Sequence, residues 1–343
     1  MIFADKKILG LDIGSNCLKI VEIKHTSNRK ELVTFALAEH EVDLDGYWDA
    51  SKIQDLVKLI NEVRSKAGFT SLKTVVALQA KHVFVTSMDF ELGWNKRMIQ
   101  EEINRQSKFF LPYPPDEMRL SWNVIPTNQR ISSLTGKQRV VINALPNFVI
   151  ENITNLLNKC NLEGIALENQ TVSLTRAFLK NDKKSTIIVD LGSENTTYSI
   201  IIDGVLRNSF TSSIGLLRLD EALQNSLGIT RKSAENFKKD LSLVNLFELP
   251  KEFTNHISLI KSELKNFYDQ NIKIAQIPEQ VILTGGGVLT AGLVKLLSTD
   301  FPITVKVGEI TKDFHIDEQK QKSLSPLSSS LSSAIGLALR DDV

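Results

Sequence analysis

Apolar and polar residues alternate in short runs through the first forty positions, and turn residues break the runs. Lys7–Ile13, Asn16–Lys24 and Glu31–Glu41 predict three consecutive strands, separated by GSN and HTSNRK. The period then changes. Ile53, Leu56, Val57, Ile60 and Val63 fall on one helical face of SKIQDLVKLINEVRSKAG, and Gly68 supplies the stop. The same order returns far down the chain. Thr186–Asp190, Thr196–Asp203 and Val205–Ser212 predict strands, and LLRLDEALQNSLG predicts a helix ending at Gly228. Two copies of strand–strand–strand–helix imply an internal duplication.

A different pattern lies between the copies. TVVALQAKHVFVTSMDF predicts two strands. WNKRMIQEEINRQSKFFL predicts a helix that PYPP ends, because a proline ring blocks continuation. RLSWNVIPT and QRVVINALP predict a hairpin around NQRISSLTGK, and NFVIENITNLLNKCNLEG a further helix. This βαββα-like insert, residues 79–164, reads as an accessory subdomain, and IALENQTVSLTRAFLK after it predicts a helix joining the copies. Beyond the second copy, RKSAENFKKDL and HISLIKSELKNFYDQN predict helices around the ill-defined SLVNLFELPKEF. EQVILTGGGVLTAGLVKLL predicts a buried strand, a triple glycine and a helix. The serines of SPLSSSLSSAIGLALR admit a low-complexity linker, but Leu331, Ile335 and Leu339 keep helical spacing and favour a final helix.

Composition narrows the class. A chain of 343 residues exceeds one ordinary core and points to two lobes or several subdomains. Its 42% apolar and 24% charged residues are those of a folded, soluble protein. A formal net charge of +1 provides no footprint for nucleic acid. Cys17 and Cys160 share no motif and the five histidines are scattered, which argues against structural zinc or a disulfide framework and suits a reducing cytoplasm. MIFADKKILG lacks the apolar core of a signal peptide. No run approaches the roughly 20 apolar residues that span a bilayer, so direct membrane insertion is not expected.

The chemistry concentrates in three loops. Asp12-Ile-Gly14-Ser15-Asn16 and Asp190-Leu-Gly192-Ser193-Glu194 occupy matching turns of the two copies. Glycine there lets backbone N–H groups approach an anion. An aspartate repels phosphate, but it can hold Mg²⁺, which then bridges to phosphate oxygens. Asp12 and Asp190 would face one ion from opposite lobes. Either D-x-G alone reads equally well as a plain hairpin turn. The third loop, Thr284 to Gly287, lies between a strand and a helix, where oriented N–H groups attract phosphate and absent side chains leave room for a ring or ribose. None of the loops matches the P-loop or the dinucleotide fingerprint.

Together, the D-x-G loop, its duplicate and the late G-G-G resemble the actin/Hsp70/sugar-kinase ATPase fold. Within that superfamily the sequence most resembles the PilM family of type IV pilus assembly. The carrying stretches are LGLDIGSNCLKIVEI, VVALQAKHVFVTSMDF, FFLPYPPDEMRLSWNVI, NLEGIALENQTVSLTRAFL, VDLGSENTTYSIIIDGVL, ILTGGGVLTAGLVKLL and SSAIGLALR, in the family's order over nearly the whole chain. The resemblance implies an α/β, actin-like (RNase H-like) duplicated fold, two lobes around a nucleotide cleft, with a 1C accessory subdomain of the kind found in FtsA. Residues 1–78 and 165–183 would form subdomain 1A, 79–164 subdomain 1C, 184–228 and 266–343 subdomain 2A, and 229–265 subdomain 2B. ATP or ADP with Mg²⁺ would be the cofactor. Gly14, Ser15, Asn16, Cys17, Gly192, Ser193, Asn195 and Thr196 would line the phosphates, with Lys19 on the β- and γ-phosphates. Glu235, Lys238 and Gly285, Gly286 and Gly287 would hold the adenosine. Gln170 matches the position that orients attacking water, with Glu168 as runner-up; a solvated helix-surface amide is an equal reading of Gln170. Asp12 and Asp190 complete the catalytic and metal set. Asn16 and Cys17 replace more usual serines and Glu194 adds a negative charge, departures that bear on hydrolysis more than on binding.

The implied role is a cytoplasmic ATP-binding component, at most a slow ATPase, held at the inner membrane through the N-terminal peptide of a PilN-like protein. Pilus motor ATPases and weak self-association extend the implied partners. Two alternatives stay open: an FtsA-like filament former, and a small-molecule kinase of the same fold. The first usually carries a C-terminal amphipathic membrane helix, whereas this sequence ends in GLALRDDV; the second needs a base aspartate for which no further motif is found.

Overall fold

The duplicated strand–strand–strand–helix order is present in both halves of the chain. The computed structural model describes residues 6–42, 50–125, 136–180, 182–240, 249–273 and 277–341. Most of the expected hairpin loop NQRISSLTGK, and residues 241–248 of the ill-defined segment, lie outside the described residues. The first half runs β1 (Lys6–Ile13), β2 (Cys17–His25), β3 (Lys30–Glu39), α1 (Ala50–Ala67) and β4 (Lys73–Leu78). The insert follows as β5 (Phe84–Glu91), α2 (Lys96–Phe110), β6 (Met118–Val124), β7 (Lys137–Pro146) and α3 (Asn147–Lys159). Then come β8 (Glu163–Asn169) and α4 (Gln170–Leu179). The second half runs β9 (Thr186–Leu191), β10 (Thr196–Ile202), β11 (Val205–Ser212), α5 (Leu217–Leu227), α6 (Arg231–Asp240), α7 (Lys251–Lys273), β12 (Gln280–Thr284), α8 (Leu293–Ser298) and β13 (Thr304–Val307). It closes with α9 (Glu318–Leu324) and α10 (Ser328–Ala338).

Among the described residues there are two five-stranded sheets of one design, ordered β3-β2-β1-β4-β8 and β11-β10-β9-β12-β13. In each, the first three strands are antiparallel and the last two run parallel to the first. β1 and β9 are central and buried on both faces, which explains their nearly continuous apolar runs. On one face of the first sheet, Leu9, Leu11, Leu18 and Ile20 meet Ile53, Leu56 and Ile60 of α1 and Ile153 and Leu156 of α3. The second sheet repeats this, with Ile187, Val189 and Leu191 against Leu219 and Leu223 of α5 and Ile260 and Leu264 of α7. The third sheet, β5-β7-β6, packs Phe90, Val140 and Ile142 under Ile99 and Ile103 of α2.

Three expectations change. Residues 165–169, read as the start of a helix, form the end of β8, parallel to β4; the helix begins only at Gln170, where the Asn169 side chain accepts the Thr171 N–H at 2.9 Å as an N-cap. Helix α3, grouped with the accessory insert, packs into the first sheet's core. Residues 266–343, grouped with the second sheet, divide. β12 and β13 join that sheet, but α10 lies on the first, where Leu331, Ala334 and Ile335 cover Val21, Ile23 and Leu32. The α10 serines permit this close seat rather than marking a linker. A Cβ on Gly10 of β1 would lie 2.1 Å from Ala334 O, and one on Gly336 of α10 would lie 1.9 Å from Ser173 O of α4. Ser332 Oγ and Ser333 Oγ satisfy themselves against Thr284 Oγ1 (2.8 Å) and Ser173 Oγ (3.3 Å).

Candidate nucleotide cleft

The two D-x-G hairpins fold alike because their sequences pose the same local problem. In the first, Gly14 N–H donates to Cys17 O at 3.0 Å; in the second, Gly192 N–H donates to Asn195 O at 3.0 Å. Strand register then pairs Asp12 with Lys19 and Asp190 with Thr197. Residues paired across adjacent strands share a face, so each aspartate and its partner project together. Both hairpins open into one cleft of about 610 Å³ between the two large sheets. That lies within the roughly 300–1,000 Å³ of an ordinary small-molecule pocket, enough for a nucleoside and its phosphates.

Asp12 is 1% exposed, and its Oδ2 accepts from Lys19 Nζ at 3.1 Å. Burial alone would depress the Lys19 ammonium, but Asp12, with Cys17 and Asp190, lifts it above its ordinary value. Burial pushes the Asp190 carboxyl up to about 6; Lys19 opposes that rise and Asp12 adds to it. Lys19 thus sits within the field of both carboxylates, one from each sheet. Across the cleft, Ser193 Oγ donates to Asn16 Oδ1, and Lys81 Nζ lies 4.0 Å from Glu194 Oε2.

The glycine loop contributes a third wall. Gly285 has φ +87°, and a Cβ there would lie 2.5 Å from Asp190 Oδ1 and 2.6 Å from Leu191 O, so glycine alone fits. Gly287 packs equally close to Leu216 and Leu191, whereas Gly286 is open toward the cleft. The chain then makes a 3-10 turn, Gly286–Leu289, and α8 starts later at Leu293. The expected helix N-terminus directly after the glycines is therefore absent; the positive φ turns the chain away first.

Of the residues singled out from sequence, Asp12, Gly14, Ser15, Asn16, Cys17 and Lys19 line the cleft from the first sheet. Gln170 lines it from the N-terminus of α4, and Asp190, Gly192, Ser193 and Asn195 from the second sheet. Glu235 and Lys238 of α6 and Gly285, Gly286 and Gly287 complete the set. Lys238 is paired with Asp220 at 2.7 Å and Glu235 with Lys239 at 2.8 Å, an ionic rim around that end. Two residues fall elsewhere. Thr196 is buried beneath the hairpin, with its Oγ1 donating to Ile214 O at 2.6 Å, and Thr197 takes the cleft-facing place. Glu168 is held by Arg176 at 2.6 and 2.9 Å and by Arg340 at 3.3 Å, turned to α10. Sequence reading missed Thr197, Gln79, Lys81 and His40, all of which line the cleft. Thr197 was accessible from the hairpin register, which sets it opposite Asp190; the others depend on tertiary contacts.

Among the described residues no three His, Cys, Asp or Glu side chains group to hold a metal. Two hard carboxylates in one cleft nevertheless suit a divalent ion that takes its remaining oxygens from water and phosphate. Asp190, raised toward neutrality, has the donor chemistry such an ion would satisfy.

Comparison with known proteins agrees with this architecture. The family model for type IV pilus assembly protein PilM matches residues 10–342. A cell division protein FtsA from Enterococcus hirae is 20% identical over 348 residues, covering 87% of this chain and 77% of its own length. A solved PilM-PilN type IV pilus biogenesis complex superposes with a TM-score of 0.82 at 18% identity, covering 97% of this chain and 98% of that one. MreB5 of Spiroplasma citri, bound to AMPPNP, superposes with a TM-score of 0.51 at 12% identity, covering 97% and 94%. With two matched sheets facing one cleft and the family match running almost end to end, the chain belongs to the type IV pilus assembly protein PilM family and has the actin-like ATPase fold.

Proposed function

We propose that this PilM-family chain binds ATP or ADP with Mg²⁺ between its two lobes and, in a nucleotide-dependent way, captures the N-terminal cytoplasmic peptide of a PilN-like inner-membrane protein. The observation that carries the reading is the convergence of Asp12 and Asp190 with the Gly285 loop on one cleft. Asp12 and Asp190 would hold the ion, which would supply positive charge against the phosphates. Lys19 sits beside the first hairpin to meet phosphate charge, and the Ser15 and Ser193 loops supply hydrogen-bond donors. Each hairpin belongs to a different sheet, so gripping one ligand with both favours a closed cleft to the extent that binding is tighter in that state. Gln170, which lines the cleft, would orient a water molecule; Glu168 would not, since its carboxylate is spent on two arginines. Any hydrolysis would run near the roughly 10⁻⁴ to 10⁻³ s⁻¹ of unaided switch proteins.

Subdomains 1A, 1C, 2A and 2B are proposed to divide the chain as the sequence implied, save that α3 and α10 pack with 1A. A small apolar cavity lined by Ile13, Val76, Leu78, Phe148, Val149 and Ile153 lies between β4 and α3, and it supports a peptide groove on that side. The protein in the superposed complex is paired with PilN, which favours the same partner here. No described helix is long and apolar enough to cross a membrane. The proposed location, which rests on the PilN-like partner, is the cytoplasm at the inner membrane. The test is to denature the purified protein and identify released nucleotide, then titrate the stripped protein with Mg-ATP by calorimetry. Absence of both co-purified nucleotide and measurable binding would overturn the assignment.

A further inference from the structure

The two hairpins anchor their glycine carbonyls differently. In the second, Gly192 O accepts the Leu216 N–H at 3.0 Å and Ser193 O accepts the Leu217 N–H at 2.8 Å, so the entry to α5 ties the loop back through main-chain bonds. In the first, the chain after β3 provides the equivalent hold. The His40 N–H donates to Asn16 O at 3.0 Å, and its ring Nε2 lies 3.0 Å from Gly14 O. A carbonyl can only accept, so the proton sits on Nε2 and Nδ1 carries the lone pair. That Nδ1 is buried without a partner among the described residues. Lys19 and Glu194 are the charged groups acting on the ring, with opposite sign, and burial holds it below its ordinary pKa, so it stays neutral near pH 7.

A trans peptide sets C=O and the following N–H in opposite directions. Tying Gly14 O and Asn16 O to His40 therefore turns the N–H groups of Ser15 and Cys17 away from β3. We propose that His40 is the positioning residue of the first phosphate loop, its ring standing in for the Leu216 main-chain donor of the second, and that it aims the Ser15 and Cys17 N–H groups at the phosphate oxygens of the nucleotide. The phosphate target rests on the nucleotide reading above; the clamp itself does not.

The test compares His40→Gln, which retains an amide donor, with His40→Leu, which has none. In ligand-free protein, hydrogen exchange of the segment spanning residues 14–18 should accelerate in His40→Leu and stay near wild type in His40→Gln, while exchange in α7 is unchanged in both. With Mg-ADP as probe, His40→Leu should bind about tenfold more weakly, the scale of one lost hydrogen bond of about 1.4 kcal/mol, and His40→Gln within about threefold of wild type. Equal exchange in His40→Leu and wild type would overturn the clamp, as would a His40→Gln protein no better than His40→Leu. Should wild type fail to bind Mg-ADP, the nucleotide target of the proposal falls with that reading, and the exchange comparison still decides the clamp.

Discussion

Replacing Asp12 by asparagine separates the structural work of the aspartate from its work on a ligand. The side chain keeps its shape but loses the charge that faces Lys19 Nζ at 3.1 Å, in a pair whose members are 1% and 16% exposed. At that separation and an effective dielectric near 20, the attraction is about 5 kcal/mol. Removing one partner of a buried pair typically costs about 3–5 kcal/mol, because the other is left charged and poorly solvated. Asp190 also acts on Lys19 and takes up part of the loss, so Asp12→Asn should cost about 3 kcal/mol. Urea unfolding of the ligand-free protein reads this directly. Adding Lys19→Met removes the stranded ammonium, and the double variant should recover most of the stability. It should not recover ligand binding. By calorimetry, Asp12→Asn and the double variant should both bind Mg-ADP at least about tenfold more weakly, about 1.4 kcal/mol. If Asp12→Asn unfolds within about 1 kcal/mol of wild type, the buried-pair reasoning is wrong. If the double variant binds Mg-ADP as wild type does, Asp12 is a structural acid and not a ligand for the ion.

Three further outcomes follow from the same geometry. The Asp190 carboxyl is raised from 3.8 to about 6, chiefly by burial, so between those values the folded protein keeps a proton that the unfolded chain has released. Stability of the ligand-free protein should therefore fall as pH rises from about 4 to 6, and Asp190→Asn should flatten that slope in pH-dependent melting. Over the same range Mg-ADP affinity should rise with pH, and calorimetry at pH 5.5 in two buffers of different ionisation enthalpy should show proton release. Gly336→Ala would set a methyl 1.9 Å from Ser173 O, so α4 and α10 must part by over an ångström; a loss of about 3 kcal/mol in urea is expected, and one below about 0.5 kcal/mol would contradict the close crossing.

Much of the cleft could be read from sequence because its chemistry is local. A D-x-G turn between two strands is a three-residue feature, and its repetition in matched context told more than either copy alone. Thr196 shows where such reading stops short: its place in the loop was plain, but the strand's two-residue period sends it inward beside Ile214 and leaves Thr197 in the cleft. Residues 165–169 were ambiguous because a short apolar run before a helix fits either element. Glu168 and His40 were invisible in opposite senses. The first is drawn off by Arg176 and by Arg340, the latter 172 positions away, and the second acquires its role from a carbonyl 26 positions back. Contacts at those separations leave no periodic trace.

The seat of α10 on β1 and β2 bears on how the chain is made. Val21, Ile23 and Leu32 are synthesised early, yet the surface that shields them, from Leu331 to Leu339, is synthesised some three hundred residues later. His25 Nε2 and Lys30 Nζ likewise await Ala338 O and Leu339 O, each at 2.7 Å. Until those residues leave the ribosome, one face of the first sheet is an uncovered apolar plane, the kind of transient surface that aggregates or recruits chaperones. Completion of the first sheet's core thus waits on residues made some three hundred positions later, and a nascent chain stalled before residue 328 leaves that face uncovered.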